Sequence, residues 1–570
     1  MLSRRPFTSI AVCGLAALVG SACGDSSPTD PDTTPDPPPV DKPPPLDPLP
    51  PIQATETERF RTSGACSQCH LAGDGDTLRD ADGRDLSPVG LWQTSMMAFA
   101  ARDPYYLATF SHELDAAPAT AFSKDDIEIA CTRCHAPASS LEHERSGGHP
   151  TFEELTAGTT PEANLARDGI TCTMCHQIRD ANLGDVESFG GGFDVGFDRL
   201  LFGPHMSPNT QPMQFFIEFT PTYATHIGKS ELCATCHTVI TPVVGANGEL
   251  LGGDFLEQAS YLEWQNSSNP DEGTECASCH LPATAADGSA IVSPLTTYPV
   301  GSQPRSPFGR HLFVGASSAM LDLLGANLEW TGSSLSPDLL FEAAGRARDH
   351  LASAAALTVL DAQPDAADLL VSIAIQNRTG HKLPTGYPTR RMWLHVTAFD
   401  GANVVFESGA YDASGALVDG AGQRLDSGGS ILPHLDVVED DGEVQVWEAI
   451  PVDARGDVAT RPLAAARYGK DNRILPAGWS STDAWIDWIA PVGADDDSTF
   501  VPGSDQVQYR IKGGASSVDH LDVELLYQSI PPSSVEILDD AATPATVRFV
   551  DQIGGVGSAV VVMATAAIDR

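Results

Sequence analysis

Cys-x-x-Cys-His occurs five times in this chain: Cys66, Cys69 and His70; Cys131, Cys134 and His135; Cys172, Cys175 and His176; Cys233, Cys236 and His237; Cys276, Cys279 and His280. This is the attachment signature of c-type haem. The spacing has a chemical reason: thiols three positions apart lie on one helical turn and can each add to a vinyl group of the same porphyrin, while the adjacent imidazole reaches the iron. Paired Cys-x-x-Cys elements also build zinc sites and disulfides, but zinc ligation does not require histidine straight after the second cysteine, and here it follows every time. Five covalent haems are therefore expected. They constrain the fold strongly, because the 215 residues from Cys66 to His280 must wrap five porphyrins that themselves supply much of the apolar core.

Ten of the 12 cysteines lie in the motifs, and the other two, Cys13 and Cys23, lie in the N-terminal leader. None remains for a structural disulfide, although the expected export would permit one. In the leader, Arg4 and Arg5 precede the apolar run Ile10–Val19, too short to span a bilayer and suited to a cleavable secretory signal. Gly20-Ser21-Ala22-Cys23 is similar to a bacterial lipobox, so residues 1–23 are expected to be removed up to Cys23, which would be lipidated. Gly20 stands where a lipobox usually has leucine, which leaves plain signal-peptidase cleavage as the alternative. Residues 24–55 are rich in Pro and Asp, with 12 prolines in residues 24–51, and are expected to form an extended, disordered tether. An outer-membrane lipoprotein facing the periplasm or the cell surface is the expected location, with a soluble periplasmic protein as the alternative.

The formal charge of −43 excludes nucleic acid as a partner. It predicts either salt-sensitive docking to basic patches of other redox proteins or simple solubility. The fold class expected is α+β and multidomain. A loop-rich, mainly helical haem domain covers residues 56–335, with motif-to-motif spacings of 65, 41, 61 and 43 that show no strict repeat. A connecting helix follows over residues 336–360, since Leu339, Leu340, Ala343, Ala347, His350 and Leu351 fall at helical spacing. From 361 to 570 an immunoglobulin-like β-sandwich is expected, with strands at residues 369–376, 392–399, 404–407, 443–448, 506–511, 521–528, 546–550 and 559–564.

The sixth coordination position decides between electron exchange and chemistry on a substrate. Eleven histidines lie outside the motifs, enough to give all five irons a second imidazole. His205, His226 and His311 lie in or just beyond the haem region, on loops, and are expected distal ligands. His381 sits in the Gly/Pro-rich loop Thr-Gly-His-Lys-Leu-Pro-Thr-Gly (379–386) and is expected to reach a haem from the β region. The fifth ligand is open among His112, His143, His149 and a methionine, Met96 or Met97. His350, His395, His434 and His520 read as structural or surface residues.

The segments SMMAFAARDPYY (95–106), DGITCTMCHQI (168–178), SELCATCHTV (230–239), YLEWQNS with TECASCHLP (261–267 and 274–282), TGHKLPTGYPTRRMWL (379–394) and KDNRILPAGW (470–479) resemble those of bacterial multihaem c-type cytochromes related to the cytochrome c-554 family. The resemblance covers nearly everything after the tether and implies periplasmic or surface electron transfer through mostly bis-histidine haems. The runner-up is a multihaem reductase acting on a small nitrogen or sulfur compound at an open iron. Pentahaem nitrite reductases usually carry a Cys-x-x-Cys-Lys haem, and no such motif occurs here. A third possibility is a surface binding module in which the β region recognises a partner.

Overall fold

The structure, a computed structural model, describes residues 42–570 except 74, 286 and 428. The signal segment, Cys23 and most of the expected tether lie outside the described residues. Residues 42–570 form a single compact unit in which helices and sheets both contribute, an α+β protein.

The C-terminal end of the expected tether is not free of the body. Leu49 is buried, its N–H donates to the Trp330 carbonyl at 2.8 Å, and the Leu46 N–H donates to the Pro544 carbonyl at 2.7 Å. Two leucines among the prolines supply apolar surface to bury, which the preceding Pro/Asp run lacks.

Up to residue 335 the chain is made of short helices and loops with two strand pairs. Strand β1 (Leu200–Gly203) runs parallel to β2 (Thr220–Tyr223), and β3 (Val239–Val244) antiparallel to β4 (Leu250–Gln258). Every motif sits on a helical turn: Ser67–His70, Lys124–His135, Cys172–Cys175, Ser230–His237 and Cys276–His280. The second of these starts with a reciprocal cap between Ser123 and Asp126, which fixes the helix that carries Cys131 and Cys134 on its last turn.

The expected connecting helix runs Pro337–Ser353 and packs on the helix Ser318–Ala326, with Leu340, Ala343, Ala344 and Ala347 in a cluster with Trp92, Ala98 and Phe99. It ends at Ser353, short of the expected end at residue 360. The β-branched Thr358 and Val359 lie instead in strand β5 (Ala355–Asp365). The remaining strands are β6 (Asp368–Asn377), β7 (Arg391–Asp400), β8 (Asn403–Ser408), β9 (Val437–Val438), β10 (Val446–Val452), β11 (Arg467–Asp471), β12 (Ser504–Ile511), β13 (His520–Gln528) and β14 (Val560–Asp569). They form a four-stranded sheet, β5-β6-β12-β9, and a six-stranded sheet, β11-β10-β7-β13-β14 with β8 on β7. One core cluster takes Leu369, Val371, Ile373 and Ile375 from the first sheet and Met392, Leu394, Val523 and Leu525 from the second, so the two sheets pack face to face.

Residues 546–550, expected as a strand, lie in the helix Pro544–Ile553. Thr543 and Thr546 cap it reciprocally and Pro544 occupies its first turn. The haem region and the sandwich share a further cluster in which Leu256, Leu262 and Trp264 meet Leu475, Trp479 and Ile489.

Candidate haem-binding sites

Four of the five motif imidazoles are oriented by a backbone carbonyl. Nδ1–H donates to Leu295 from His70 at 2.9 Å, to Ala100 from His135 at 2.8 Å, to Phe202 from His176 at 2.7 Å and to Val314 from His280 at 2.5 Å. A histidine that ligates a metal through Nε2 commonly gives its other N–H to such a group, which fixes tautomer and ring direction. His237 is the last residue of its helix, Ser230–His237, and is exposed.

Two of the expected distal histidines face motif imidazoles. The rings of His176 and His311 are 6.2 Å apart centre to centre, and those of His280 and His381 are 6.4 Å apart. Two imidazoles bound to opposite sides of one metal through bonds of about 2.0 Å place their ring centres roughly 6 Å apart. Both distal rings are half-buried and lowered to about 4, chiefly by the loss of solvent, so each offers a neutral nitrogen. His311 leaves Nδ1 buried without a partner, and His381 Nδ1–H donates to the Lys382 carbonyl at 2.9 Å.

The loop that carries His381 is fixed from beneath by an ionic network. Fully buried Lys382 reaches Asp471 at 2.6 Å, Arg473 pairs with Asp471 at 2.7 Å and with Glu263 at 2.9 Å, and Glu263 accepts from Thr385 at 2.6 Å. Glu263 belongs to the helix Ser260–Gln265, just before the fifth motif.

The other candidates are placed differently. His226 lies against the third motif, but its Nε2–H donates to the Ile178 carbonyl at 2.8 Å, which leaves Nδ1 as the free nitrogen. His205 is partly exposed and close to Arg305. His143 is paired with Glu154 at 2.9 Å and His149 with Glu128 at 3.0 Å, so carboxylates occupy both. His112 is half-buried near Arg461. Met96 and Met97 pack into the cluster around Trp92 and Phe99, as apolar filling. His350, read as structural or surface, comes to 5.5 Å of the His280 ring, because its helix packs across the fifth motif; the spacing signal of the helix did not reveal this contact. His395 lies between Glu407 and Glu524, and His520 between Asp522 and Asp569. Among the described residues His70, His135 and His237 have no second imidazole paired at the spacing of the other two, and Tyr106 stacks on the His135 ring at 3.8 Å.

His434 is buried, with Nδ1 accepting from Gln445 and Asn472 at 2.9 Å each and Nε2–H donating to Asp497 at 2.9 Å. Asp505 beside them is pushed up to about 8, first by burial. The unfolded carboxyl ionises near pH 4. Between about pH 4 and 8 the folded chain therefore keeps a proton that the unfolded chain has lost, so stability falls as pH rises through that window. The expected outcome is a Tm that declines from about pH 5 to about pH 8 in calorimetry. A level profile across that range would show that Asp505 ionises freely in the fold.

The thiols also link the motifs to one another. Cys66 lies beside Cys172, Cys134 beside Cys236 and Cys233 beside Cys276, and Cys175 lies close to Cys236. The fourth motif thus touches the second and the fifth and neighbours the third, which in turn touches the first. Among the described residues, the converging groups of His, Cys, Asp and Glu are Asp125, Glu128 and His149 and His434, Asp497 and Asp505.

No family model matches the chain, and no curated protein matches it. Among solved structures, the chain is similar to a penta-heme cytochrome c552 from Thermochromatium tepidum at 17% sequence identity and a TM-score of 0.49, covering 90% of this chain and 99% of that one.

Proposed function

We propose that this protein is an exported pentahaem c-type cytochrome that relays electrons between redox partners through closely spaced, mostly bis-histidine haems. The observation that carries the reading is the set of five attachment motifs, four of whose imidazoles are anchored through Nδ1 and two of which are faced by a second imidazole at iron-spanning distance. The five cysteine pairs would hold haem c covalently and the motif histidines would ligate one side. His311 would complete the site of His176, and His381 that of His280. His226, through Nδ1, and His205 are the candidates for two of the remaining irons. When bound, the haems supply reversible one-electron chemistry. The protein's part is to aim each imidazole and to keep the motifs in mutual contact. Export rests on the leader, with Cys23 as the proposed lipid anchor to the outer membrane and other redox proteins as partners.

One observation favours a reductase as the second reading. His135 meets no second imidazole at that distance among the described residues; Tyr106 stacks on the face of its ring, and the Tyr105 and Tyr387 rings, 6.0 Å apart, stand nearby with Glu257 close to Cys131.

Mass spectrometry of mature protein should show five haems added, and the reduced protein should take up well below one carbon monoxide per chain. Uptake of one per chain would favour the reductase, and bare polypeptide mass would end both readings. His381→Ala should convert one of the five low-spin haems to high spin in electron paramagnetic resonance. An unchanged spectrum would remove His381 as a ligand.

A further inference from the structure

On a protein of charge −43, with 76 acidic and 33 basic residues, the two segments 200–217 and 288–304 contain no Asp, Glu, Lys or Arg at all. They meet in space. Arg305 donates to the carbonyls of Met206 and Ser207 at 3.3 Å each, the Phe216 ring lies 5.7 Å from that of Tyr298, and Phe215 lies 5.0 Å from Phe216. The meeting leaves large apolar side chains in solvent: Phe215 is 79% exposed, Met206 68% and Val300 92%, with Phe216, Tyr298 and Val292 exposed beside them.

The same segments support two attachment motifs. Thr297 donates to the Cys69 carbonyl through its N–H at 2.8 Å and its hydroxyl at 3.1 Å, Leu295 accepts from His70, and Phe202 accepts from His176. The first motif is also an end of the contact order described above, reached only through the third.

An exposed aromatic and methionine patch emptied of charge has the composition of an interface centre, not of a solubilising face. Its charge pattern narrows the occupant. A second copy would bring another −43 body and repel. An anionic lipid surface is held by clusters of Lys and Arg, and these segments have none. What matches is a protein face that is itself apolar and uncharged. We propose that the surface of residues 200–217 and 288–304 is the docking face for a redox protein whose own cofactor edge is framed by uncharged apolar residues. Docked there, the partner's reduced centre loses one electron and the iron held by His70 gains it, ferric to ferrous, with no bond made or broken. The proposal rests on the cytochrome reading and replaces, for this end of the molecule, the salt-sensitive docking that net charge alone predicts.

The test uses the full mature protein and two reduced probes in stopped flow: a small blue-copper protein with an uncharged apolar copper edge, and a basic monohaem cytochrome c. With the copper probe, the bimolecular rate should change less than about twofold from low to about 0.5 M salt. It should fall about tenfold in Phe215→Ser/Phe216→Ser and in Val300→Asp, which alter exposed side chains. The basic cytochrome should show a rate that drops with salt and is the same in all three proteins. Equal copper-probe rates in native and variant proteins, each carrying five haems by mass, would overturn the docking face while leaving the cytochrome reading intact. Bare polypeptide mass would overturn that reading instead. Binding of the native protein to neutral phosphatidylcholine vesicles, or a native dimer in ultracentrifugation, lost in the variants, would reassign the patch to lipid or to self-association and also overturn the proposal.

Discussion

Arg473→Met should destabilise the transition that melts the sandwich by about 3–5 kcal/mol, the cost of leaving buried carboxylates without their cation. Arg473 holds two of them, Asp471 at 2.7 Å and Glu263 at 2.9 Å, and all three side chains are nearly sealed from water. Its guanidinium serves both carboxylates because it is a planar fork; the point charge of lysine cannot, so Arg473→Lys should recover only part of the loss. Asp471 is held far below the usual carboxylate range by Arg473 and Lys382, against burial; without Arg473 only Lys382 is left to oppose the burial that pushes this carboxyl up. The lost ion pair also lies under the loop that bears His381. The variant should therefore show a high-spin fraction at the site of His280 as well as the lower melting transition. Calorimetry with electron paramagnetic resonance checks both, and a shift below about 1 kcal/mol would mean that the network behaves like a surface pair.

That network shows where sequence reading stops. Glu263, Lys382, Asp471 and Arg473 lie in three of the segments that resemble multihaem cytochromes, yet residues 263 and 382 are 119 positions apart and nothing in either segment indicates that they meet. The motifs were legible because their chemistry is local: three residues on one turn. His381 was legible because a Gly/Pro-rich loop between strands projects its side chain. His350 was not, because its approach to His280 depends on how a whole helix packs. The same division holds in the fold. Strands β6, β7, β12 and β13 were found by their apolar runs, whereas residues 546–550 were misread as a strand because Val547, Phe549 and Val550 outweighed the start signal of Thr543 and Pro544. The ends of the connecting segment and the packing of Leu46 and Leu49 were set by partners far along the chain.

Disabling the fourth motif should divide the molecule. Its helix, Ser230–His237, is the meeting point of the thiol contacts: Cys134 lies beside Cys236, Cys276 beside Cys233, and Cys175 alongside. The Ser230 hydroxyl also accepts from the Cys276 N–H at 3.0 Å and donates to Glu275 at 2.7 Å, so the turns of the fourth and fifth motifs are built as one unit. By thiol contacts alone, among the described residues, the first and third motifs are joined to the second and fifth through this helix. With a photoreductant attached at Val300→Cys, an exposed position beside the first motif, electrons injected into the otherwise native chain should reach the absorbance of all five haems in the fast phase. In Cys233→Ala/Cys236→Ala on that background the fast phase should shrink to the absorbance of two haems, those at His70 and His176. Removing the fifth motif by Cys276→Ala/Cys279→Ala deletes an end and not a junction, so its fast phase should still span every haem that remains. Haem counting by mass on each variant separates a lost connection from a failed maturation. A fourth-motif variant that keeps four haems and fills them all in the fast phase would show that the order of thiol contacts is not the order in which electrons travel.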